Sequence, residues 1–270
     1  MTRLSEKVQE DLLVAIENDD LVLPTLPEVA LTIREAAEDS EVSVARLTHV
    51  VGQDPALSAR LIKVVNSPML RGSVEATNLQ TAINRLGINY TCNLAIGLVI
   101  EQIFHARAPA VAQRMREAWK ASLEIAGISS ELCRRFTSLM PDQAALAGLV
   151  HLIGILPILT YAEDRDELLS DPVCLHHVIE HIHPLIGDRI LASWDFPPHL
   201  ASIPSHCLDA SRQPASIDYA DLVLLASLLN LPGNSGVERL HDLPAFQRLG
   251  TGLSPLMLAA EVEQAKVLFY

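Results

Sequence analysis

The chain has 270 residues, of which 49% are hydrophobic, 20% charged and only 4% aromatic. That apolar share excludes an intrinsically disordered chain, and its Leu, Ala, Ile and Val character favours helix-on-helix packing over a β-sandwich. With 33 acidic against 20 basic residues the formal net charge is −13, and the longest basic run is the pair Arg134 and Arg135, so no nucleic acid and no membrane surface is expected as a partner.

Apolar spacing is helical almost throughout. Val8, Leu12, Leu13 and Ile16 predict a first amphipathic helix. The segment LPTLPEVA (23–30) predicts an extended entry, held by two prolines, to a helix that ends near Glu38. Ser43 is the expected N-cap of a helix carrying Val44, Leu47, Val50 and Val51. Asp54 followed by Pro55 is a stronger start signal, an acidic cap before a proline at the first helical position. That helix carries Leu57, Leu61, Ile62 and Val65 and should stop before Pro68, with Asn66 satisfying backbone groups at its end.

Asn78 is the expected cap of the next helix, with Ile83 and Leu86 facing inward and Gly87 ending it. A long apolar helix is predicted from Tyr90 to Ala106, and Pro109 then interrupts the pattern. Further helices are predicted over 110–136, 141–161, 172–182, 184–194, 198–208, 215–230 and 254–268. The expected architecture is all-α, with two packed helical subdomains over residues 1–108 and 109–270. No internal repeat of fixed period appears.

Neither Leu94 to Phe104, broken by Glu101, nor Ala144 to Ala162, holding His151 and Pro157, offers the roughly 20 uninterrupted apolar residues a bilayer span needs. Cys92, Cys133, Cys174 and Cys207 are widely spaced with no C-x-x-C pair, so they read as reduced thiols. The charged, amphipathic N-terminus does not read as a signal peptide, and a cytoplasmic location is expected.

Several segments, in order, carry a family resemblance. DPALSARLIKVVNSP (54–68), LPTLPEVA (23–30), TAINRLG (81–87), Trp119, AGLVHLIG (147–154), HPLIGDRILASWDFPP (183–198) and His206 together resemble the HDOD family. This is a helical output domain of bacterial signalling related to HD phosphohydrolases. The resemblance implies an HD-like helical bundle in the C-terminal part. Asp54, Pro55, Asn66, Trp119 and Trp194 mark its motifs, and each also has a plain structural reading as cap, turn or core aromatic.

Catalytic HD hydrolases hold a divalent metal through a first His, a His-Asp pair and a later Asp, ligands suited to lowering the pKa of a bound water. By the resemblance the first His falls at Ala121, the pair at His151 and Leu152, and the last Asp near Ser227. Three of the four positions thus present methyl, isobutyl and hydroxyl groups. His151, His183 and His206 remain as weak metal candidates, set against the reading of His151 as a core residue with satisfied nitrogens. Asp188 and Asp209 are the nearest carboxylates by sequence that a divergent site could use.

A second pattern, His177-Val-Ile-Glu180-His181, matches the H-x-x-E-H of inverted zinc metallopeptidases. It lies in a histidine-dense stretch (176–183) and reads as a solvated helix face. No phosphate-binding glycine loop or nucleophile elbow is present. The sequence therefore implies no catalytic residue, no cofactor and no enzyme. The expected function is a non-catalytic signal-transduction module that binds a protein partner, with a homodimer as one form. The alternatives are a divergent metal-dependent phosphohydrolase and a domain that senses a nucleotide without cleaving it.

Overall fold

The computed structural model describes residues 3–18, 23–39, 41–233 and 235–269, and among these every regular element is a helix. The first, α1 (Arg3–Glu17), buries Val8, Leu12 and Ile16, while Leu13 stays 37% exposed and belongs to the solvent side rather than the inner face. After the extended LPTLP entry come α2 (Glu28–Glu38), α3 (Val44–Gly52), α4 (Pro55–Val65) and α5 (Leu79–Leu86).

Local capping explains where these helices begin. The Ser43 hydroxyl accepts the Arg46 N–H at 3.1 Å, and the Asn78 side chain accepts that of Thr81 at 2.8 Å. One Asp54 oxygen accepts from Ala56 at 2.9 Å and Leu57 at 3.0 Å, while the other takes Gln102 Nε2 at 3.0 Å. Asn66 reaches further than the turn beside Pro68. Its amide exchanges two 2.8 Å hydrogen bonds with the backbone of Ala76, so it pins the whole 67–75 loop. Gly87, with φ of 84°, ends α5 and admits α6 (Ile88–Val99) directly, a conformation costly for any residue with a Cβ.

The helix expected to run from Tyr90 to Ala106 stops sooner. It tightens into a 3₁₀ turn over Ile100–Ile103 and ends at Phe104. Pro109 opens α7 (Pro109–Phe136), the long central helix.

The apolar run 141–161 is likewise not one helix. It divides into α8 (Pro141–Val150) and α9 (Ile155–Glu163), with His151 to Gly154 in the turn between them. Close approach fixes that corner. A Cβ on Gly148 would stand 2.7 Å from the Ala126 nitrogen of α7, and one on Gly154 would overlap the His183 carbonyl. The stretch Pro141–Glu163 is apolar and long enough to cross a membrane by composition, yet 83% of its most apolar window is buried inside the fold.

Beyond α10 (Asp166–Leu169) lies α11 (Pro172–Ser193), where the sequence predicts two helices parted at His183. Pro184 sits inside it without ending it. Ile182, Ile186 and Ile190 are buried along one stripe, and that packing outweighs the single hydrogen bond proline removes. The Asp195 backbone, at φ of 55°, then closes the helix end. Residues 198–208 form two short turns, α12 (Pro198–Ala201) and α13 (Ile203–His206), before α14 (Tyr219–Leu229). α15 (Ser235–Leu240) and α16 (Pro244–Leu249) have no counterpart in the sequence reading. The chain closes with α17 (Pro255–Val262) and a 3₁₀ turn over Glu263–Val267, not one helix over 254–268.

One hydrophobic core extends from Val8 to Phe269 and passes residue 108 without a break. α7, α8 and α14 pack on one another, α6 packs on α8, and α1 packs on α11. Trp194 is the buried aromatic expected at the end of α11. Its indole N–H also donates to the Pro24 carbonyl at 2.9 Å, and Arg34 binds the Trp194 carbonyl in return.

Candidate functional site

The positions that the resemblance assigns to HD-type ligands lie on or beside three helices that pack on one another, α7, α8 and α14. α7 supplies Trp119 and Ala121, the turn after α8 supplies His151 and Leu152, and α14 supplies Ser227. His151 is 4% exposed, and its Nδ1 lies 2.7 Å from the Gly148 carbonyl. A carbonyl only accepts, so Nδ1 carries the proton and Nε2 the lone pair. Burial pulls its pKa down from the usual 6.5 to about 4, against the Gly148 hydrogen bond and with a smaller push from neighbouring His183. His183, 5% exposed on α11, repeats the arrangement with Nδ1 2.7 Å from the Ile179 carbonyl, and burial lowers its pKa too. Both are neutral imidazoles at neutral pH.

No carboxylate joins them at the expected positions. Leu152 is half-buried hydrocarbon packed against the core, and the Ser227 hydroxyl donates 2.8 Å back to the Val223 carbonyl of its own helix. Glu124, one turn beyond Ala121, accepts from Asn230 Nδ2 at 2.9 Å and pairs with Lys120 at 3.9 Å. His206 is exposed on α13. Asp188 accepts from the Ser205 N–H at 3.1 Å, with its pKa raised by burial, and Asp209 is bound by Ser211 through 2.9 Å and 2.6 Å contacts.

A crevice of about 700 Å³ lies where the middle of α4, the 3₁₀ turn after α6 and the face of α7 converge. Arg60, Phe104, Arg116, Trp119, Lys120 and Phe269 are among its walls. The Phe104 and Trp119 rings meet at 5.1 Å, and the Trp119 indole N–H is buried without a hydrogen-bond partner. Trp119 thus faces this crevice besides serving as a core aromatic.

The model of the HDOD domain matches residues 23–207. The chain belongs to the HDOD family. A crystal structure from Shewanella amazonensis SB2B, named as a candidate metal-dependent phosphohydrolase, is 29% identical with a TM-score of 0.83, covering 97% of this chain and 99% of that one. An HDOD domain protein of unknown function from Geobacter sulfurreducens is 18% identical with a TM-score of 0.69, covering 97% of this chain and 95% of the other, which speaks for the fold alone. An uncharacterized Treponema pallidum protein is 24% identical over 93% of this chain, and the chain spans about half (52%) of that relative's length.

Within this HDOD chain the HD donor set does not fit a divalent cation. Two neutral imidazoles remain, and methyl, isobutyl and self-bonded hydroxyl groups cannot neutralise the ion's charge. Nor do the three candidate histidines form a compact set. Among the described residues, the one group of three His, Cys or carboxylate side chains whose ligand atoms all lie within 4.8 Å is His177, Glu180 and His181. The solvated face expected there holds for Glu180 and His181, but His177 is half-buried.

Proposed function

We propose that this HDOD domain is a regulatory module that acts by binding a partner and does not hydrolyse phosphoesters. The carrying observation is residue type on a retained helical frame: by the family resemblance the metal-ligand positions fall at Ala121, Leu152 and Ser227, none of which supports a divalent ion. Without a carboxylate beside His151 no metal-bound water is activated, and phosphoryl transfer loses its nucleophile. The name of the Shewanella amazonensis SB2B protein supports kinship with phosphohydrolases, and kinship does not carry the ligands over.

The crevice beside Trp119 is the surface this reading assigns to the partner. Buried aromatics in a concave site flanked by charge are the usual anchors of recognition. The deciding experiment is an assay of purified protein with phosphodiesters and cyclic nucleotides in the presence of manganese or iron. No turnover is expected. Metal-dependent turnover that disappears in His151→Ala would overturn the proposal.

The crevice also favours a second reading, a nucleotide sensor. Arg60, Arg116 and Lys120 gather cationic groups beside aromatic rings on an otherwise acidic chain, although Arg60 is paired with Glu101 and Lys120 with Glu124. A nucleotide at a hundred times its dissociation constant would add about 2.7 kcal/mol of stability, readable as a thermal shift. Absence of any shift across a nucleotide panel at saturating concentration removes this reading.

A further inference from the structure

The first half of α11 brings His176, His177, Glu180 and His181 together on one side of the helix, away from the HD positions. Residues at i, i+3 and i+4 share a helix face, and their side chains can converge on a single point. Here they do: the imidazole rings of His177 and His181 have centroids 4.1 Å apart, and the ligand atoms of His177, Glu180 and His181 lie within 4.8 Å of one another.

The His181 tautomer is set for ligation. His181 Nδ1 lies 2.8 Å from the His177 carbonyl, which accepts its proton and leaves the Nε2 lone pair outward. The second, independent observation concerns His177, whose Nε2 is buried and has no hydrogen-bond partner. A buried nitrogen left unpaired is costly, and a ligand at this point removes the cost. Glu180 supplies the carboxylate, and His176 Nε2, 3.2 Å from its Oε1, stands where an outer partner would orient it.

We infer that His177, Glu180 and His181 form a binding site for a borderline divalent cation of the zinc class, with His176 as the positioning residue for Glu180. Two imidazoles and one carboxylate suit zinc, cobalt(II) or nickel(II) and disfavour magnesium, which demands near-octahedral oxygen ligands. Water completes the coordination. The site would tie one turn of α11 together ahead of Pro184, and no reaction is assigned to it.

The test uses the full chain without an affinity tag. Zinc binding is measured by calorimetry, and cobalt(II) binding by its visible spectrum, in the wild type and in His177→Ala, His181→Ala and His206→Ala. Expected are one ion per chain, no response to magnesium, and a loss of about tenfold or more in affinity for His177→Ala and His181→Ala but not for His206→Ala. His176→Ala is expected to weaken zinc less than either ligand substitution. Circular dichroism checks that each variant keeps its helices. Zinc affinity unchanged in both His177→Ala and His181→Ala, or no zinc binding by the wild type, would overturn the inference. Since the HD positions take no part, failure here leaves the regulatory reading standing, and hydrolysis by the HD positions would leave this site standing.

Discussion

Acidification should destabilise this protein through His151, and the size of the effect follows from its burial. The imidazole is neutral in the fold, with a pKa near 4, while in the unfolded chain it returns to about 6.5. Between these values the unfolded state takes up a proton that the native state refuses, so stability is full above pH 6.5 and falls as pH drops towards 4. At 1.36 kcal/mol per unit the complete effect is about 3 kcal/mol, and about 2 kcal/mol of it is expressed by pH 5. The lowered pKa of His183 acts in the same direction. The variant His151→Asn isolates the contribution, since its amide can still donate to the Gly148 carbonyl but does not titrate. Urea unfolding at about pH 8 and about pH 5 should show the variant losing about 2 kcal/mol less than the wild type over that interval. Parallel loss in both proteins would refute the reasoning, whatever their absolute stabilities.

Four substitutions test the packing argument by denaturant midpoint. Asn66→Ala removes both hydrogen bonds to Ala76 and should cost about 1–3 kcal/mol, because the Ala76 groups lose their partners. Gly154→Ala forces a methyl into the His183 carbonyl and should cost about 3 kcal/mol or more, or prevent folding. Asp221 is 2% exposed and binds Arg248 at 2.9 Å and 2.7 Å, so Arg248→Met, which strands the buried carboxylate with only Arg212 left at 3.8 Å, should cost about 3–5 kcal/mol while Asp221→Ala, which strands the more exposed guanidinium, costs less. Equal losses for those last two variants would mean that the ion pair itself, and not the stranded charge, carries the energy.

What was legible in the sequence was what short-range chemistry decides. Ser43, Asp54 and Asn78 cap the helices they were expected to cap, since a side-chain oxygen within three residues of free amides needs no tertiary help. The corner at His151 was not legible, because it depends on Gly154 meeting α11 some thirty positions later in the chain. The break expected at His183 is absent, because the buried isoleucine stripe that carries α11 through Pro184 depends on tertiary packing. α15 and α16 lie among Gly and Pro residues that read as loop. The residue types at positions 121, 152 and 227 were plain in the sequence. The i, i+3, i+4 spacing of His177, Glu180 and His181 was equally plain, but the half-burial of His177 and its unpaired nitrogen appear only once α11 is packed.

The union of the first helix with the eleventh has a consequence for how the molecule is made. Val8, Leu12 and Ile16 find their cover on a segment the ribosome delivers only after α2 to α10 have emerged, and Pro24 waits as long for Trp194. During synthesis the first helix therefore carries a bare greasy side until α11 has emerged. A chain released early, before residue 194, would keep that side open to chaperones and to its own kind. Premature termination should thus yield aggregates rather than a small working fragment.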